Sequence, residues 1–515
     1  MTPQSPIISY FCFVENKAVQ IKTAVSELEQ WFEPFRKNII GIDQTFSGPD
    51  GEKVISYADW TASGRLYRPI EERMQNEVAP FVANTHTETS FTGSTMTQAY
   101  HHAMHLIKRH VNASENDIII SSNSGMTGVV NKFQRILGLK IHERYRDRIH
   151  IPDEERPVVF LTHMEHHSNQ TTWLETICTV EIMDANEEGL VELSSLEKLL
   201  DRYKNRKVKI AAITSCSNVT GIKTPYHEMA AIMHRHGGLC FVDFACSAPY
   251  IDINMHPKNE EQALDAIFFS PHKFLGGPGS SGILIFNKSL YTNRVPDNPG
   301  GGTVDWTNPW GEHKYIDNIE AREDGGTPSF LQTIRVAMCI RLKEAMNTEK
   351  ILAREKELID IIWPGLEAIP NLHILAGNIR ERLGVISFYI DQAHYNLIVQ
   401  LLNDKYGIQV RGGCSCAGTY GHYLLHVDKD HSKSITEKIN LGDMSDKPGW
   451  VRLSVHPTTT NEEARLFVKA ITDVAENHEI YAADYKYNSK TNEFEHKSTP
   501  SDESRLVDQW LNRPL

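Results

Sequence analysis

Clusters of chemically capable residues recur between residues 124 and 273, each just after a short apolar run. Ser124-Gly125-Met126-Thr127 pairs hydroxyls with a glycine, the make-up of a turn that presents backbone N–H groups to phosphate. Glu165-His166-His167 supplies an aromatic base, Ser217-Asn218 an amide, Asp243 a carboxylate, and Ser270-Pro271-His272-Lys273 a lysine. Taken together they meet the needs of pyridoxal 5′-phosphate (PLP). Its phosphate is held by amides at a helix N-terminus and by hydroxyls. Its pyridine nitrogen stays protonated beside a carboxylate, which makes the ring an electron sink. Its aldehyde condenses with a lysine of lowered pKa. Lys273 is therefore the expected Schiff-base lysine.

Plainer readings stand beside these. Lys273 could be a surface lysine, Asp243 a helix N-cap, and Thr127 and Ser270 ordinary turn hydroxyls. Arg452 could form a core-edge salt bridge. His163, His166 and His167 lack a companion set of carboxylates or thiols at ligand spacing, so no metal is expected. His101, His102 and His105 read as one mixed helix face.

The elements that must carry these groups alternate along the chain. Short β-rich runs at Asp117–Ser122, Pro157–Thr162, Lys209–Thr214, Leu239–Asp243, Ala266–Ser270 and Gly282–Phe286 are separated by amphipathic stretches. Runs that are apolar on both faces and alternate with helices predict a mostly parallel sheet in an α/β architecture. In such a sheet ligands bind beyond the carboxyl ends of the strands, so the clusters are expected on one rim. The stretch Ser194–Tyr203 opens with a capping-box spacing to Glu197, and Tyr226–His236 is closed by Gly237-Gly238. A helix is expected from about Phe330 to Leu366, broken near Trp363-Pro364. A smaller α/β unit follows, with strands at Val385–Ile390, Ile408–Arg411 and Trp450–Val455 and a helix near His394–Tyr406. The polar insertion Asp428–Pro448 has no legible structure. The segment after Asn477 reads as a loose appendage ending in a short helix around Ser504–Leu511.

The chain has 515 residues, 40% hydrophobic and 23% charged, within the ordinary globular range. A net charge of −13 argues against a nucleic-acid partner. No apolar run approaches membrane-span length, and Met1–Phe13 lacks the layout of a signal peptide. Eight dispersed cysteines predict free thiols in a reducing, cytoplasmic compartment. Three of them, Cys178, Cys240 and Cys339, lie in apolar runs.

Eight stretches, in order, carry a family likeness: SGMTGVVN (Ser124–Asn131), MEHHSNQTTW (Met164–Trp173), SNVTGIKTP (Ser217–Pro225), FVDFACSAP (Phe241–Pro249), SPHKFLGGPG (Ser270–Gly279), EDGGTP (Glu323–Pro328), RGGCSCAG (Arg411–Gly418) and VRLSVHPTTTNEE (Val451–Glu463). They resemble the class V aminotransferase group of fold-type I PLP enzymes, particularly its cysteine desulfurase branch. The resemblance implies a large PLP-binding domain over residues 56–330 and a smaller C-terminal α/β domain over 331–476 with an insertion near 421–448. It leaves 1–55 as an N-terminal segment packing on the small domain and 477–515 as an appendage. By the same resemblance Lys273 would carry the cofactor and move the substrate α-proton. Asp243 would pair with the ring nitrogen, His166 would stack on the ring, and Asn218 would lie near the phenolic oxygen. Met126, Thr127, Ser270 and His272 would line the phosphate site, with Thr327 reaching it from the other subunit of a homodimer. Arg452, with Arg411, would hold the substrate carboxylate.

Cys416 would then be the nucleophile that takes sulfur from L-cysteine, releasing L-alanine and passing the sulfur to an acceptor protein. Arg411, followed by Gly412 and Gly413, suits an exposed thiol loop. Departures from the family pattern are the second thiol, Cys414, the replacement of a glutamine near Cys246, and the insertion after Tyr420. With His422 and His426 nearby, the two thiols also admit a zinc site, though at no standard spacing. A C–S lyase, an epimerase-like enzyme or an aminotransferase would share the cofactor set without needing Cys416, and a scaffold protein of the same fold would need none of it.

Overall fold

The computed structural model describes residues 26–85, 87–498 and 503–514. Cys12 and the first 25 residues, including Met1–Phe13, lie outside the described residues. Seven strands build the principal sheet: β1 (Asp117–Ser122), β2 (Val158–Leu161), β3 (Thr179–Ile182), β4 (Lys209–Thr214), β5 (Leu239–Asp243), β6 (Ala266–Phe269) and β7 (Gly282–Asn287). Their order is β1-β7-β6-β5-β4-β2-β3. The run from β6 to β3 is parallel throughout, while β7 is antiparallel to both its neighbours. β1 therefore points the same way as β6, and the carboxyl ends of β1, β2, β4, β5 and β6 share one rim. Both faces are covered. Ile119, Phe160, Ile213, Val242 and Ile267 enter one apolar cluster, and Ile118, Val159, Ile210, Phe241 and Phe268 the other. Double burial is why these strands read as unbroken apolar runs. β3, unforeseen in the sequence, is an edge strand and only half-buried along its length.

Helix α1 (Glu27–Arg36) lies against later parts of the chain: Ser26 Oγ donates to Glu357 at 3.0 Å and Arg36 pairs with Glu463 at 2.8 Å. Four helices serve the rim or the faces of the sheet: α2 (Gly125–Ile136), α3 (His167–Leu174), α4 (Leu193–Arg202) and α5 (Tyr226–Arg235). α5 ends at Gly237 with φ +63°, as its glycines predict. α4 departs from expectation, because Glu192 caps it by accepting from Ser194 N–H at 3.2 Å. The expected Ser194 cap instead sits inside the first turn.

The long helix is two helices, α6 (Phe330–Met346) and α7 (Thr348–Glu367). The break is at Asn347, not at Pro364. Asn347 takes φ +67° and its side chain accepts from Lys350 N–H at 3.0 Å, opening α7. Pro364 forfeits one N–H in the last turn, where buried Trp363 and Leu366 keep the helix docked.

A second sheet follows, with β8 (Leu372–Ile374), β9 (Val385–Ile390), β10 (Arg411–Gly413) and β11 (Trp450–Ser454) in the antiparallel order β8-β9-β11-β10. Its own core includes Trp363, Phe388, Leu453 and Phe467. The strand expected at Ile408–Arg411 is split: Ile408–Gln409 pairs in parallel with Ser56–Tyr57, and β10 begins at Arg411. Helix α8 (Tyr395–Tyr406) covers this sheet, α9 (Gly418–Leu424) and α10 (Lys429–Asn440) occupy the insertion, and α11 (Asn461–Ala482) packs on α7 and α8 and runs past residue 477. What was expected to be loose after Asn477 is partly tied down. A hairpin of Tyr485–Asn488 and Glu493–His496 returns Asn492 to Tyr395, whose hydroxyl accepts at 2.6 Å. Helix α12 (Glu503–Asn512) is exposed along its length.

Candidate active site

The rim encloses a cavity of about 190 Å³ whose wall holds the residues that the sequence placed at strand ends: Met126, Thr127, His166, Asn218, Asp243, Ser270, His272 and Lys273, with Arg411 and Arg452 from the second sheet. The register Thr214↔Asp243 and Asp243↔Phe268 fixes how the clusters meet.

At one end, α2 begins at Gly125, which has φ +61° and leaves no room beneath it: a Cβ on Gly282 would come within 2.2 Å of its carbonyl carbon. That contact seats the first turn of α2 against the sheet. Met126 N–H donates to Ser270 Oγ at 3.1 Å, and Thr127 and Ser168 hydroxyls meet at 2.7 Å. Amide and hydroxyl donors thus converge beside a helix N-terminus, a fitting receptor for phosphate.

Asp243 ends β5 and accepts from Ala245 N–H at 2.7 Å. Burial pushes its pKa up to about 6, a penalty that a cationic ring nitrogen would relieve. Lys273 follows β6 in the turn Pro271–Lys273, and burial lowers its pKa, against the pull of Cys246 and Asp243. A lysine so placed holds more of its free amine, the form that condenses with an aldehyde. His166 caps α3 by accepting from Ser168 N–H at Nδ1, 3.1 Å. Burial, then the Lys273 charge, takes its pKa to about 3, so the ring is a neutral stacking surface. His272 is lowered to about 4, again by burial.

Asn218 points its amide N–H at the Ser415 carbonyl, 2.7 Å away, and its Oδ1 is left buried without a partner. Arg452 is 2% exposed; it donates to the Asn218 carbonyl at 3.1 Å and pairs with Asp59 at 2.6 Å, while its Nε has no partner. The salt bridge weighed as the plain reading of Arg452 is thus present, inside the cavity wall. Arg411 shares the same carboxylate at 3.4 Å. Two guanidinium groups against one carboxylate leave a net positive end to the cavity, suited to a further carboxylate.

The residues present therefore fit PLP on several counts at once: phosphate donors at one end, a buried carboxylate, a lysine of lowered pKa and an unpartnered amide oxygen between.

The thiol loop is brought up to this cavity but not into it. Ser415 lines the wall, whereas Cys416 is exposed and Cys414 half-buried. Both Ser415 (φ +49°) and Cys416 (φ +57°) are left-handed. His167 N–H donates to the Cys416 carbonyl at 2.7 Å, and Gly418 N–H donates to His167 Nε2 at 3.0 Å. His422 is engaged by the Gly418 carbonyl and Ser432, both at 2.8 Å. Among the described residues no group of three or more His, Cys, Asp or Glu is placed to hold a metal, and no helix is long and apolar enough to cross a membrane. Thr327 is exposed and absent from the wall.

Several wall residues went unread in the sequence: Thr61, Ala62, Ser168, Thr214, Cys216 and Ser415, with Asp59 behind them. Segment 59–64 is wedged against the lysine turn, Gly64 N–H donating to the His272 carbonyl at 2.9 Å. A Cβ on Gly64 would lie 1.9 Å from the Phe274 carbonyl oxygen.

The family model of class V aminotransferases matches residues 56–467. A probable cysteine desulfurase from Halalkalibacterium halodurans is 28% identical over 384 residues, 73% of this chain and 86% of that protein. One from Staphylococcus aureus is 27% identical over 380 residues, 73% and 85% of the two chains. Among solved structures, an apo cysteine desulfurase from Thermococcus onnurineus aligns with a TM-score of 0.69 at 23% identity, covering 86% of this chain and 98% of that one. The cysteine desulfurase CsdA from Escherichia coli aligns at 0.65 and 20% identity, covering 88% and 100%. The fold is that of the fold-type I PLP-dependent transferases. With four-fifths of its length matched, the chain belongs to the class V aminotransferase family.

Proposed function

We propose that this protein is a PLP-dependent cysteine desulfurase, converting L-cysteine to L-alanine and taking the sulfur on Cys416. One observation carries the reading: the thiol loop is bonded to the same residues that build the cofactor rim, Asn218 through Ser415 and the neighbour of His166 through Cys416. The two relatives described above bear the name of that activity.

When bound, PLP supplies an electron sink for the substrate's α-carbon. The chain's residues do the rest. Met126, Thr127, Ser270 and His272 hold the phosphate, Asp243 the ring nitrogen, and His166 the ring face. Arg452, helped by Arg411, orients the substrate carboxylate with the donors that Asp59 does not use. Lys273 Nζ anchors the cofactor and then accepts the α-proton, which its lowered pKa favours. Cys416 Sγ attacks the substrate sulfur, the carbon–sulfur bond breaks, and the sulfur stays on Cys416 as a persulfide. Thr327 is assigned to the phosphate site of a second copy in a homodimer, which its exposure allows. A sulfur-acceptor protein would meet the exposed Cys416 loop, and the seven free cysteines of the described chain suit a cytoplasmic location.

A second reading has its own support: Cys416 stands outside the cavity wall, as a C–S lyase of the same family would tolerate. Product analysis separates them. With L-cysteine, PLP and reductant, a desulfurase yields alanine and sulfide in equal amounts. Pyruvate in place of alanine makes the protein a lyase, and neither product removes both readings.

A further inference from the structure

Two more thiols stand in the wall of the same cavity with no part in the steps above. Cys216 follows β4 and Cys246 follows β5, and the pairing of Thr214 with Asp243 sets the two turns side by side. Both residues line the cavity and are otherwise buried, at 1% and 4% exposure. Each thiol donates to the Ser217 carbonyl oxygen at 3.6 Å, so one acceptor gathers both sulfurs. A buried thiol pair gathered on one acceptor, opening onto a cavity that small solutes enter, is a site for two-electron oxidation rather than inert packing.

We propose that Cys216 and Cys246 form a dithiol that hydrogen peroxide, entering through the cavity, oxidises to a disulfide joining the β4 and β5 turns. Cys246 is the attacking sulfur. The neighbouring Cys216 thiol, then the Lys273 and Arg452 charges, favour its thiolate against the opposing pull of burial, whereas burial holds Cys216 protonated. The Cys246 sulfur attacks the peroxide, the O–O bond breaks, and a sulfenic acid and one water form. Cys216 then attacks that sulfur; the S–O bond breaks, the Cys216 proton leaves with the hydroxyl as a second water, and the S–S bond closes. Peroxide is reduced by two electrons and the thiol pair oxidised by two. The dithiol stands on the cavity geometry alone; its shielding by cofactor rests on the PLP reading.

The test uses the full chain carrying Cys414→Ser and Cys416→Ser, so that the loop thiols do not compete, freed of cofactor and exposed to a small excess of hydrogen peroxide. Non-reducing peptide mapping should show one linked peptide containing Cys216 and Cys246, with both lost to alkylation after denaturation and recovered by dithiothreitol. Both cysteines remaining alkylatable, or sulfinic acid on Cys246 without a link, would overturn the proposal. Loading the same protein with PLP at about ten times its Kd should slow linking roughly tenfold, since bound ligand withdraws the open form in proportion. Equal rates with and without PLP would overturn entry through the cofactor site, while the linked peptide would still establish the dithiol.

Discussion

The rim and the thiol loop face one cavity but are held there by different physics. Thr214 and Asp243 stand on strands whose backbone ladders and double burial fix their positions, and the turn bearing Lys273 is wedged between β6 and segment 59–64. The loop of Cys414 to Gly418 has no ladder. It hangs on bonds from Asn218 and His167 and carries two left-handed non-glycine residues. Each such bond contributes about 1 kcal/mol net, and each left-handed residue costs roughly 1–2 kcal/mol. The rim is built to stay and the loop to be displaced. That division suits a reaction in which the cofactor is fixed and the sulfur carrier must meet a second protein.

Substitutions should separate the two halves. Lys273→Ala strikes the rim and has the largest expected effect. Turnover should fall by on the order of 10²–10⁴-fold, the range for removing a positioned acid or base, and the absorbance of lysine-bound PLP near the visible edge should vanish. Retention of that absorbance would remove Lys273 from its assigned role. Cys416→Ala strikes the loop: alanine formation should be lost while PLP absorbance and any pyruvate formation persist. Equal alanine from the variant would break the division between a fixed rim and a working loop.

A pH measurement sharpens the rim half. Asp243 has its pKa pushed up to about 6 by burial, above the roughly 3.9 of an unfolded chain. The cofactor-free fold therefore holds that proton more tightly than the unfolded chain does. Its stabilisation is fully present below about pH 4 and is lost as pH rises through about 6. Asp243→Asn keeps the acceptor for Ala245 N–H and removes the titration. Without cofactor the variant should be the more stable form at pH 7.5, by up to about 3 kcal/mol in denaturant unfolding, and the two should converge near pH 4. With PLP the order should reverse, because the carboxylate then has a cationic partner. A wild type more stable than the variant in the absence of cofactor would contradict the burial argument.

The same contrast explains what the sequence disclosed. Rim residues follow apolar runs, so the rule that ligands gather beyond strand ends reached Asn218, Asp243 and Lys273 directly. Cys216 and Thr214 lie in the same stretch but look like packing until the register places them. Asp59 gave no signal at all, because its partners Arg411 and Arg452 are some 350 or more residues away and only the fold joins them. Proline misled at residue 364, where tertiary burial of Trp363 outweighed one lost hydrogen bond, and Asn347 made the break by capping the next helix. The tail looked loose because its anchors, Asn492 and Tyr485, are isolated in a polar segment, yet they bond Tyr395 and Asp404 at 2.6 and 2.7 Å.

The smallest expected effect tests the loop half most directly. Gln170 on α3 exchanges two hydrogen bonds with the Thr419 hydroxyl, at 2.7 and 2.9 Å, just beyond the thiol loop. The hydroxyl donates its proton to Oε1 and accepts from Nε2, but both contacts join one oxygen to one amide group, so both are bent and together they are worth less than two full bonds. Gln170→Ala should thus cost about 1 kcal/mol locally. Because neither partner belongs to a strand ladder, the loss should appear as easier opening of residues 414–420. Amide exchange there should speed up roughly fivefold, the factor that about 1 kcal/mol corresponds to, with the amides of β4 and β5 unchanged. Equal acceleration in both regions would mean that loop and rim open as one unit, and their separate construction would have no dynamic consequence.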